Sequence, residues 1–417
     1  MAAETIKFSD VASCLAQAGL LVNQKGVFPR RELKSFTTDT RELQDGDLFI
    51  AYRGVQFDAH SRVPELARQF PNAVFVIEEP RCFEVMGEKN ATLLVKDSRE
   101  AWSYIAALRY GNPQYKLRMV GVTGTNGKTS TVWFLRQILL AKNIPCMTIG
   151  TIGVYCGDEI LPASHTTPDP ENLFKNLALA AARGIRWVAM EVSSHSIVQR
   201  RLGPIKFDAV AFTSFSRDHL DFHPTMKEYF AAKWELFGRY RKSQAPGWVS
   251  TTIREQRLIS KRATDYGFYG TDSAAASDFP KAYAYTISDS RLNHTHLRLT
   301  SPSQSYDLDF GFGGDFVMDN FTAAFALVDS LEPISEFSGA GIVAVPGRFE
   351  PIPAAAAFRF AVIVDYAHTP DALEKTLVKL KEMTSGQLWV IFGFGGDRDN
   401  GKRPLMGEIA ERVADQI

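Results

Sequence analysis

Apolar positions recur along this chain in two rhythms: short continuous runs, and stretches with an apolar side chain every three or four residues. In the middle of the chain, continuous runs predict buried strands at 117–123, 146–149, 187–192 and 209–213. The helical rhythm fills the segments between these runs. Apolar strands that alternate with helices are typical of a parallel sheet covered on both faces. We therefore predict an α/β fold with a parallel central sheet.

Residues 1–112 repeat this alternation on a smaller scale. Strands are predicted at 48–52 and 73–77, and helices at 63–69 and 102–108, which indicates a small α/β domain. The string G-N-P at 111–113 is a plausible linker.

Two further segments depart from the central pattern. Between 263 and 310, apolar and polar residues alternate singly, which predicts an antiparallel insert. Residues 342–417 contain only two predicted strands, at 361–365 and 388–392. Two strands cannot bury a core of normal size. We therefore expect this last segment to be an incomplete domain.

Composition argues against several classes of function. Lysine plus arginine and aspartate plus glutamate both number 47, so the net charge is zero, unlike that of a nucleic-acid coat or a membrane-surface binder. The four cysteines lack metal-binding spacing and suit a reducing cytosol. No signal peptide and no run of about 18 apolar residues occurs. We expect a cytoplasmic protein of roughly two to four domains.

The clearest candidate for chemistry is a glycine-rich string between a predicted strand and a predicted helix. Residues 121–130 read G-V-T-G-T-N-G-K-T-S. Backbone N–H groups and a helix dipole at such a turn bind phosphate, Lys128 adds a positive charge, and Thr129 or Ser130 can offer a hydroxyl to Mg²⁺. The generic phosphate loop has glycine six residues before the lysine, where this chain has Val122. An ordinary strand-to-helix turn is the alternative.

Acidic side chains follow two of the predicted strands. Glu191 lies at the end of the strand at 187–192, and a carboxylate there is a candidate Mg²⁺ ligand. The string D-H-L-D-F-H at 218–223 follows the strand at 209–213. Its density of carboxylates and imidazoles suits metal or phosphate chemistry. A capping acid and a polar loop are the alternatives.

Lys233 lies within a helical pattern at 228–237. Its neighbours three and four residues away are large and mostly apolar: Tyr229, Phe230, Leu236 and Phe237. Burial lowers the pKa of a lysine and leaves a reactive neutral amine. The alternative is that the long side chain reaches solvent.

The loop string resembles the nucleotide loop of the Mur ligases, the family that makes bacterial cell-wall peptide bonds. Six further strings resemble that family: D-T-R at 39–41, T-T-P-D at 166–169, E-V-S-S-H-S-I-V-Q-R-R at 191–201, P-G-R-F-E at 346–350, D-Y-A-H-T-P at 365–370 and G-G-D-R-D at 395–399. One string departs from the usual F-T-N-L-S-R-D-H-L-D, because Ser214 replaces an amide and Phe215 replaces leucine.

The resemblance implies a three-domain ATP-dependent amide ligase. Its parts would be a UDP-binding domain at 1–112, a P-loop-type ATP-binding domain at 113–341 and a partial Rossmann-like ligase domain at 342–417. The implied reaction adds meso-diaminopimelate or L-lysine to UDP-N-acetylmuramoyl-L-alanyl-D-glutamate through an acylphosphate. A monomer is expected, without nucleic-acid partners or membrane insertion. Which diamino acid is added stays open, because the selecting residues are expected beyond Ile417.

Roles carried over from the family fall on four sets of residues. The ATP contacts would be Gly124, Thr125, Asn126, Gly127, Lys128, Thr129, Ser130, Asn320 and Arg348. The contacts to the UDP-linked substrate would be Thr38, Thr40, Val55, Gln56, Phe57, Thr166, Thr167, Ser193, Gln199, Arg201 and Arg398. Two Mg²⁺ ions would be held by Thr129, Glu191, His219 and Lys233, the last as a carbamate formed with CO₂. The catalytic groups would be Lys128, Lys233, His219, His368 and Arg348.

Two other functions stay open at this point. One is a sister activity, that of another Mur ligase or a folylpolyglutamate-type ligase. The other is a truncated relative that binds nucleotide without turnover.

Overall fold

The structure is a computed structural model of all 417 residues. It describes residues 6–29, 32–33, 35–54, 57–163, 165–253, 266–271, 282–352, 358, 360–393 and 401–417. Contacts divide the chain into two compact units. The first comprises Met1–Leu117, Pro168–Gly184 and His195–Ile205, and the second comprises Arg118–Thr167, Ile185–Ser194 and Lys206–Ile417. The three-domain division is a finer one and stays a prediction.

The first unit is built on a five-stranded sheet with the order β1-β5-β4-β3-β2. Its strands are β1 (Leu21–Lys25), β2 (Phe36–Thr37), β3 (Leu48–Ile50), β4 (Val74–Ile77) and β5 (Thr92–Val95). All neighbours are parallel except β1, which is antiparallel to β5. Its first helices are α1 (Phe8–Gln17), α2 (Val63–Gln69), α3 (Pro80–Val85) and α4 (Ser98–Arg109). This arrangement confirms the small α/β fold predicted from the alternation of apolar runs.

An eleven-stranded sheet forms the second unit, with the order β16-β15-β14-β13-β12-β11-β6-β10-β7-β8-β9. Its strands are β6 (Arg118–Thr123), β7 (Cys146–Gly150), β8 (Gly153–Cys156), β9 (Glu159–Leu161), β10 (Trp187–Glu191), β11 (Ala209–Phe212), β12 (Gly247–Ser250), β13 (Gly267–Thr271), β14 (Ala282–Arg291), β15 (His294–Thr300) and β16 (Ser305–Phe310). The seven central strands, from β7 to β14 in the sheet order, are parallel. The four strands that the apolar runs predicted, β6, β7, β10 and β11, are among them.

The prediction of a separate antiparallel insert at 263–310 was only partly right. Strands β14, β15 and β16 do form an antiparallel meander. However, β13 pairs in parallel with both β12 and β14, so the segment extends the central sheet. Most of β13 and the first part of β14 are buried. A buried strand needs a hydrogen-bonded strand on each side, so β13 lies within the parallel sheet.

The remaining helices are α5 (Lys128–Ala141), α6 (Pro170–Ala182), α7 (Ser194–Val198), α8 (Met226–Glu235), α9 (Asp315–Asp329), α10 (Pro370–Met383) and α11 (Lys402–Val413). A π-helical turn, Leu236–Tyr240, follows α8. Helices α5 and α9 cover the parallel sheet, and Phe134 packs between Phe312 and Phe321 at ring-centroid distances of 5.8 and 5.7 Å. Burying each such ring stabilises the fold by roughly 1.5–3 kcal/mol. The apolar core between α9 and the sheet holds the strands in place, and the site residues extend from the carboxyl ends of those strands.

In the C-terminal segment, α10 and α11 pack around Leu373, Leu377, Leu388, Met406 and Ile409. A short antiparallel pair, β17 (Glu350–Pro351) and β18 (Ile363–Val364), precedes them. The strand predicted at 388–392 was wrong, since Trp389 makes only an isolated bridge with Gln416. Ile391, two residues after Trp389, is 99% exposed, so none of the described residues packs against its side chain. Among the described helices, none has the length and apolarity needed to cross a bilayer.

Candidate active site

The predicted phosphate loop joins β6 to α5 at the carboxyl edge of the parallel sheet. Gly124 and Gly127 have φ of +150° and +88°, which favour glycine. A Cβ at Gly124 would lie 2.0 Å from Thr213 Oγ1, and one at Gly127 would lie 2.2 Å from Asn320 Oδ1. The loop is therefore a tight turn whose two glycines cannot be replaced without moving their neighbours.

Polar side chains outside the loop hold its shape. Ser214 Oγ accepts from the Asn126 N–H at 2.8 Å, so the serine that replaces the family's amide still anchors the loop. The Thr125 hydroxyl lies 3.2 Å from that of Tyr229, and Asn320 Nδ2 donates to Phe316 O at 3.1 Å. Thr129 and Ser130 are buried at the start of α5. The loop residues and Asn320, all predicted to contact ATP, therefore lie together at the start of α5.

Lys128 and Lys233 meet at the loop backbone. Lys128 Nζ donates to Gly124 O at 2.8 Å and to Thr125 O at 2.9 Å. Lys233 Nζ, from α8, donates to the same Gly124 oxygen at 2.8 Å. The two amines therefore share one acceptor.

Lys233 is only 1% exposed, and its Nζ lies 4.5 Å from the centre of the Tyr229 ring. This confirms the prediction that its side chain lies on the buried stripe of its helix. Burial holds the pKa of Lys233 well below its usual value, and the charge of Lys128 lowers it further, while Asp218 opposes them. Burial also lowers the pKa of Lys128, against the opposing charges of Glu191 and Asp218.

Glu191 ends β10 and is 1% exposed. Its Oε1 accepts from the Thr151 N–H at 2.7 Å, and its Oε2 accepts from the Thr151 hydroxyl at 3.2 Å. A Cβ at Gly150 would lie 2.3 Å from Oε1, so the glycine leaves room for this carboxylate. Glu191 is thus a buried, fixed carboxylate whose charge acts on Lys128.

Three of the predicted substrate contacts gather beside Glu191. The Thr166 hydroxyl lies 3.1 Å from that of Thr151. The Thr167 hydroxyl donates to the Glu191 backbone oxygen at 2.8 Å, and its oxygen accepts from the Ser193 N–H at 3.1 Å. Two strings that are 24 residues or more apart in sequence therefore form one polar surface at the end of β10.

The D-H-L-D-F-H segment divides into structural and site residues. His223 is buried, and its Nε2 lies 2.9 Å from the Ser194 hydroxyl.

His219 has a φ of +54°, an unusual conformation for a residue with a side chain. Its Nε2 lies 3.3 Å from an oxygen of Asp218, which is 3% exposed. Burial raises the pKa of the Asp218 carboxyl, but His219, Lys402 and His368 bring the pKa below its usual value.

The C-terminal segment contributes side chains to the loop. Arg348 Nη2 donates to Thr129 Oγ1 at 3.4 Å, and its guanidinium lies 4.3 Å from the Tyr366 ring centre. Burial lowers the pKa of Arg348 and of His368. Asn126 Nδ2 lies 3.4 Å from the Thr369 hydroxyl and 3.3 Å from Asp371 Oδ2. Arg348 and His368 are therefore near the phosphate loop, as predicted.

Sequence reasoning missed two contacts in this segment. Lys402 Nζ lies 3.6 Å from Asp218, and Asp365 accepts from the Phe349 N–H at 2.7 Å. Lys402 lies three residues after the G-G-D-R-D string, which by itself gave no sign of a contact with Asp218. Arg398, predicted to contact substrate, lies outside the described residues.

The first unit contains a cavity of about 540 Å³. It is lined by Thr38, Asp39, Thr40, Arg41, Tyr52, Gly54, Phe57 and Ala59. Thr38, Thr40 and Phe57 were predicted to contact the nucleotide sugar, whereas Val55 and Gln56 lie outside the described residues. Hydrogen bonds from Arg41 lower the pKa of Asp39 to about 2, so the cavity wall carries an ion pair.

Gln199 and Arg201 are linked in the same unit, since Arg201 Nη2 donates to Gln199 Oε1 at 2.7 Å. Burial lowers the pKa of Arg201, and Asp169, Arg99 and the cavity-lining Tyr52 also act on it electrostatically. The two predicted contacts therefore belong to the surroundings of the cavity.

The oxygen-donating side chains around the loop are of the kind that a magnesium ion needs. Among the described residues, no three carboxylates, imidazoles or thiols are placed to hold a metal together. The Thr129 hydroxyl and the Glu191 carboxylate supply hard oxygen ligands of the kind that Mg²⁺ prefers. A carbamate on Lys233 would add a further carboxylate-like group. The residues present therefore fit Mg²⁺ in the presence of phosphate oxygens, and the carbamate on Lys233 stays a prediction.

Comparisons with known proteins show which family the chain belongs to. The Mur ligase middle domain matches residues 122–328, and the Mur ligase glutamate ligase domain matches residues 347–417. The UDP-N-acetylmuramoyl-L-alanyl-D-glutamate–2,6-diaminopimelate ligase of Aquifex aeolicus is 35% identical over 394 residues, which are 94% of this chain and 78% of the relative. The enzyme of the same name from Geobacter metallireducens is 36% identical over 393 residues, 92% of this chain and 75% of the relative.

Solved structures give the same result for the fold. A structure of a UDP-N-acetylmuramoyl-L-alanyl-D-glutamate–2,6-diaminopimelate ligase has a TM-score of 0.69 at 27% identity, covering 99% of this chain and 82% of that one. MurF from Acinetobacter baumannii has a TM-score of 0.62 at 20% identity, covering 99% and 84%, which shows a shared fold only. With relatives more than one-third identical along nearly its whole length and two matching domain models, the chain belongs to the Mur ligase family of ATP-dependent ligases.

Proposed function

We propose that this chain adds a diamino acid to UDP-N-acetylmuramoyl-L-alanyl-D-glutamate with hydrolysis of ATP to ADP and phosphate. The observation that carries the proposal is the meeting of Lys128, Lys233 and Glu191 at the phosphate loop, beside Thr166, Thr167 and Ser193. The relatives that match most of the chain bear the name of this activity with 2,6-diaminopimelate.

The reaction has two steps. A carboxylate oxygen of the substrate attacks the γ-phosphorus of ATP, the bond to the β-phosphate oxygen breaks, and ADP leaves. The amine of the diamino acid then attacks the acylphosphate carbonyl and loses a proton. The tetrahedral intermediate collapses to the amide and releases inorganic phosphate. Both steps build negative charge on oxygen, so the protein must supply fixed positive charge and hydrogen-bond donors.

The loop and its neighbours supply those groups. The loop N–H groups and the start of α5 would hold the phosphates, with Lys128 and Arg348 stabilising the charge that develops during transfer. Thr129 and Glu191 would hold Mg²⁺, which would supply positive charge against the negative charge of the phosphates. His219 and Lys233 complete the proposed ligands of a second Mg²⁺ site.

The carbamate on Lys233 is part of this proposal. Only a neutral amine attacks CO₂, and the buried, Lys128-facing position of Lys233 favours the neutral form. Carbamylation would convert a buried amine, whose protonated form Lys128 disfavours, into a buried anion beside Lys128. The change would give Lys128 an oppositely charged neighbour.

The first unit would hold the other end of the substrate. Its cavity of about 540 Å³ combines polar threonines with the aromatic Tyr52 and Phe57, which suits a uridine nucleotide. Gln199 and Arg201 would bind the anionic part of the same molecule. We place this role in a domain at 1–112, the ATP-binding role at 113–341 and amino-acid binding at 342–417, where His368 and Arg398 would act. The chain is proposed to act as a cytoplasmic monomer.

A sister activity is less well supported. The MurF and folylpolyglutamate synthase structures that match are 15–21% identical, and that likeness extends only to the fold. In contrast, the relatives from Aquifex aeolicus, Caldanaerobacter subterraneus and Geobacter metallireducens, at 35–36% identity, bear one activity name.

The direct test measures ADP release in the presence of UDP-N-acetylmuramoyl-L-alanyl-D-glutamate, with meso-diaminopimelate and L-lysine offered separately. We expect release that requires both the UDP-linked substrate and one diamino acid, and a product whose mass grows by that residue. Lys128→Ala should abolish release. Nucleotide binding without substrate-dependent release would favour a binding protein without turnover and overturn the proposal.

A further inference from the structure

We propose that Asp218 is a positioning residue that holds Lys402 and His368 of the C-terminal segment at the phosphate loop. The inference deepens the proposed function and rests on it for the identity of the reaction. It concerns a carboxylate to which the mechanism above gives no part.

Asp218 is a buried carboxylate surrounded by basic groups. It is 3% exposed, with Lys402 Nζ 3.6 Å from Oδ1, His219 Nε2 3.3 Å from Oδ2 and His368 Nε2 3.8 Å from Oδ2. Within the described part of the chain, Oδ2 accepts no hydrogen bond. The backbone of His219 donates a hydrogen bond to the carboxylate, but a buried carboxylate oxygen that accepts none is still costly. The surrounding basic groups are therefore what compensates it.

Lys402 has an equally costly position. It is the first residue of α11, where a positive charge opposes the helix dipole, and its side chain is only 12% exposed. Ordering a long lysine side chain also costs conformational entropy. The ion pair with Asp218 offsets these costs, because no other carboxylate among the described residues is within ion-pair distance of Lys402.

The Asp218–Lys402 pair lies near Lys128, which would bind phosphate. The charge of Asp218 acts on both Lys128 and Lys233 at the loop. The distances from Asp218 to Lys402 and His368 are longer than those of charge-assisted hydrogen bonds. A phosphate oxygen near Lys128 could therefore take over either donor at little cost, while Asp218 keeps both side chains aimed at the loop.

The backbone next to Asp218 is constrained as well. His219 adopts a φ of +54°, and such conformations persist where surrounding contacts hold them. A fixed Asp218–His219 pair gives Lys402 and His368 of the C-terminal segment a rigid partner beside the central sheet. A flexible carboxylate could not align them.

A double-mutant cycle on Asp218 and Lys402 tests the inference in the full chain. We expect Asp218→Asn and Lys402→Met each to lower kcat about tenfold or more, with the KM for the UDP-linked substrate changed less than about twofold. The double variant should be no worse than the poorer single variant, because both changes remove one interaction. Asp218→Glu, which keeps the charge, should recover part of the loss.

The matched control is Asp315→Asn. Asp315 pairs with Lys379 at 2.7 Å and likewise joins the central sheet's α9 to the C-terminal segment, through α10 instead of α11. It should leave kcat within about twofold of wild type. Losses that multiply in the Asp218/Lys402 double variant, or a control as slow as Asp218→Asn, would overturn the inference.

Two outcomes require a further experiment: an unstable Asp218→Asn variant, and a wild-type chain without turnover. If Asp218→Asn unfolds below the assay temperature, Asp218→Glu takes its place in the cycle. In the Lys402→Met background, Asp218→Glu must then cause no further change in kcat. If the wild-type chain binds AMP-PNP but shows no substrate-dependent ADP release, the proposed function fails. The same cycle is then measured on AMP-PNP affinity, where non-additive losses support the role of Asp218 and additive losses exclude it.

Discussion

Lys128 and Lys233 donate hydrogen bonds to one backbone oxygen, that of Gly124, each at 2.8 Å. Two ammonium groups this close repel each other, and burial strengthens the repulsion. Burial is the main cause that holds the pKa of Lys233 well below its usual value, and the charge of Lys128 lowers it further. The amine that is proposed to react with CO₂ is therefore held in its reactive form by the same loop that would bind ATP.

The first prediction concerns the stability that Lys233 costs the protein. Its folded-state pKa is lowered, so the unfolded chain binds a proton that the folded chain does not, and stability rises with pH up to the ordinary lysine pKa of about 10.4. Lys233→Met removes this cost. In CO₂-free buffer near pH 7 we expect a higher Tm than wild type by a few degrees, and a smaller difference at pH 9.5.

The same variant should lose activity. Without the amine no carbamate forms, so we expect kcat to fall by about 100-fold or more. Lys227→Met, on the same helix but before its buried stripe, is the control for both measurements. Carbon-13 NMR with labelled bicarbonate should show a carbamate signal in wild type that Lys233→Met lacks. A Lys233→Met enzyme with normal turnover would contradict the carbamate.

The second prediction concerns the tight turn of the phosphate loop. Gly127→Ala introduces a Cβ at φ +88° and 2.2 Å from Asn320 Oδ1, so the loop must move. We expect the affinity for ATP to fall about 100-fold, measured by calorimetry. Gly407→Ala, in α11 with nothing within 4 Å of the added Cβ, should bind ATP normally. Equal affinities in the two variants would show that the loop tolerates the side chain.

Much of the site could be predicted from sequence because it is local. The loop at 121–130 is a contiguous string, and the burial of Lys233 follows from neighbours three and four residues away. The contact between Asp218 and Lys402 could not be predicted, because it joins residues 184 positions apart that share no pattern. The same limit explains β13, whose place in the parallel sheet depends on pairing with β12 and β14. Sequence periodicity gives the faces of an element, whereas tertiary packing chooses its neighbours.

The third prediction concerns Asp319, a buried carboxyl on α9. Burial raises its pKa to about 7, although Ser250 donates to its Oδ2 at 3.0 Å. The folded chain therefore holds a proton that the unfolded chain releases, and this contribution to stability is present at pH 4 and lost as pH rises through about 7. Asp319→Asn keeps an acceptor for Ser250 and cannot ionise.

Asp319→Asn should therefore raise the free energy of unfolding at pH 8, by a few kcal/mol at most, and leave it nearly unchanged at pH 4. Urea unfolding at both pH values measures the difference. Asp329→Asn on the same helix is the control for the loss of a carboxylate. A stability difference that does not change with pH would mean that Asp319 ionises normally in the fold.

The last prediction separates the two ends of the proposed substrate. Arg201 lies near the cavity-lining Tyr52, and its buried guanidinium is proposed to bind the anionic part of the UDP-linked molecule. Arg201→Met keeps most of the apolar stem and removes the charge, so we expect the KM for that substrate to rise about tenfold or more, with the KM for ATP changed less than about twofold. Arg62→Met is the matched control, because Arg62 is in the same unit and its side chain is 45% exposed in an ion pair with Glu65. Steady-state kinetics with each substrate varied in turn give both constants. A rise in both KM values would mean that Arg201 supports the fold, since a residue that binds only the UDP-linked molecule has no reason to change the affinity for ATP.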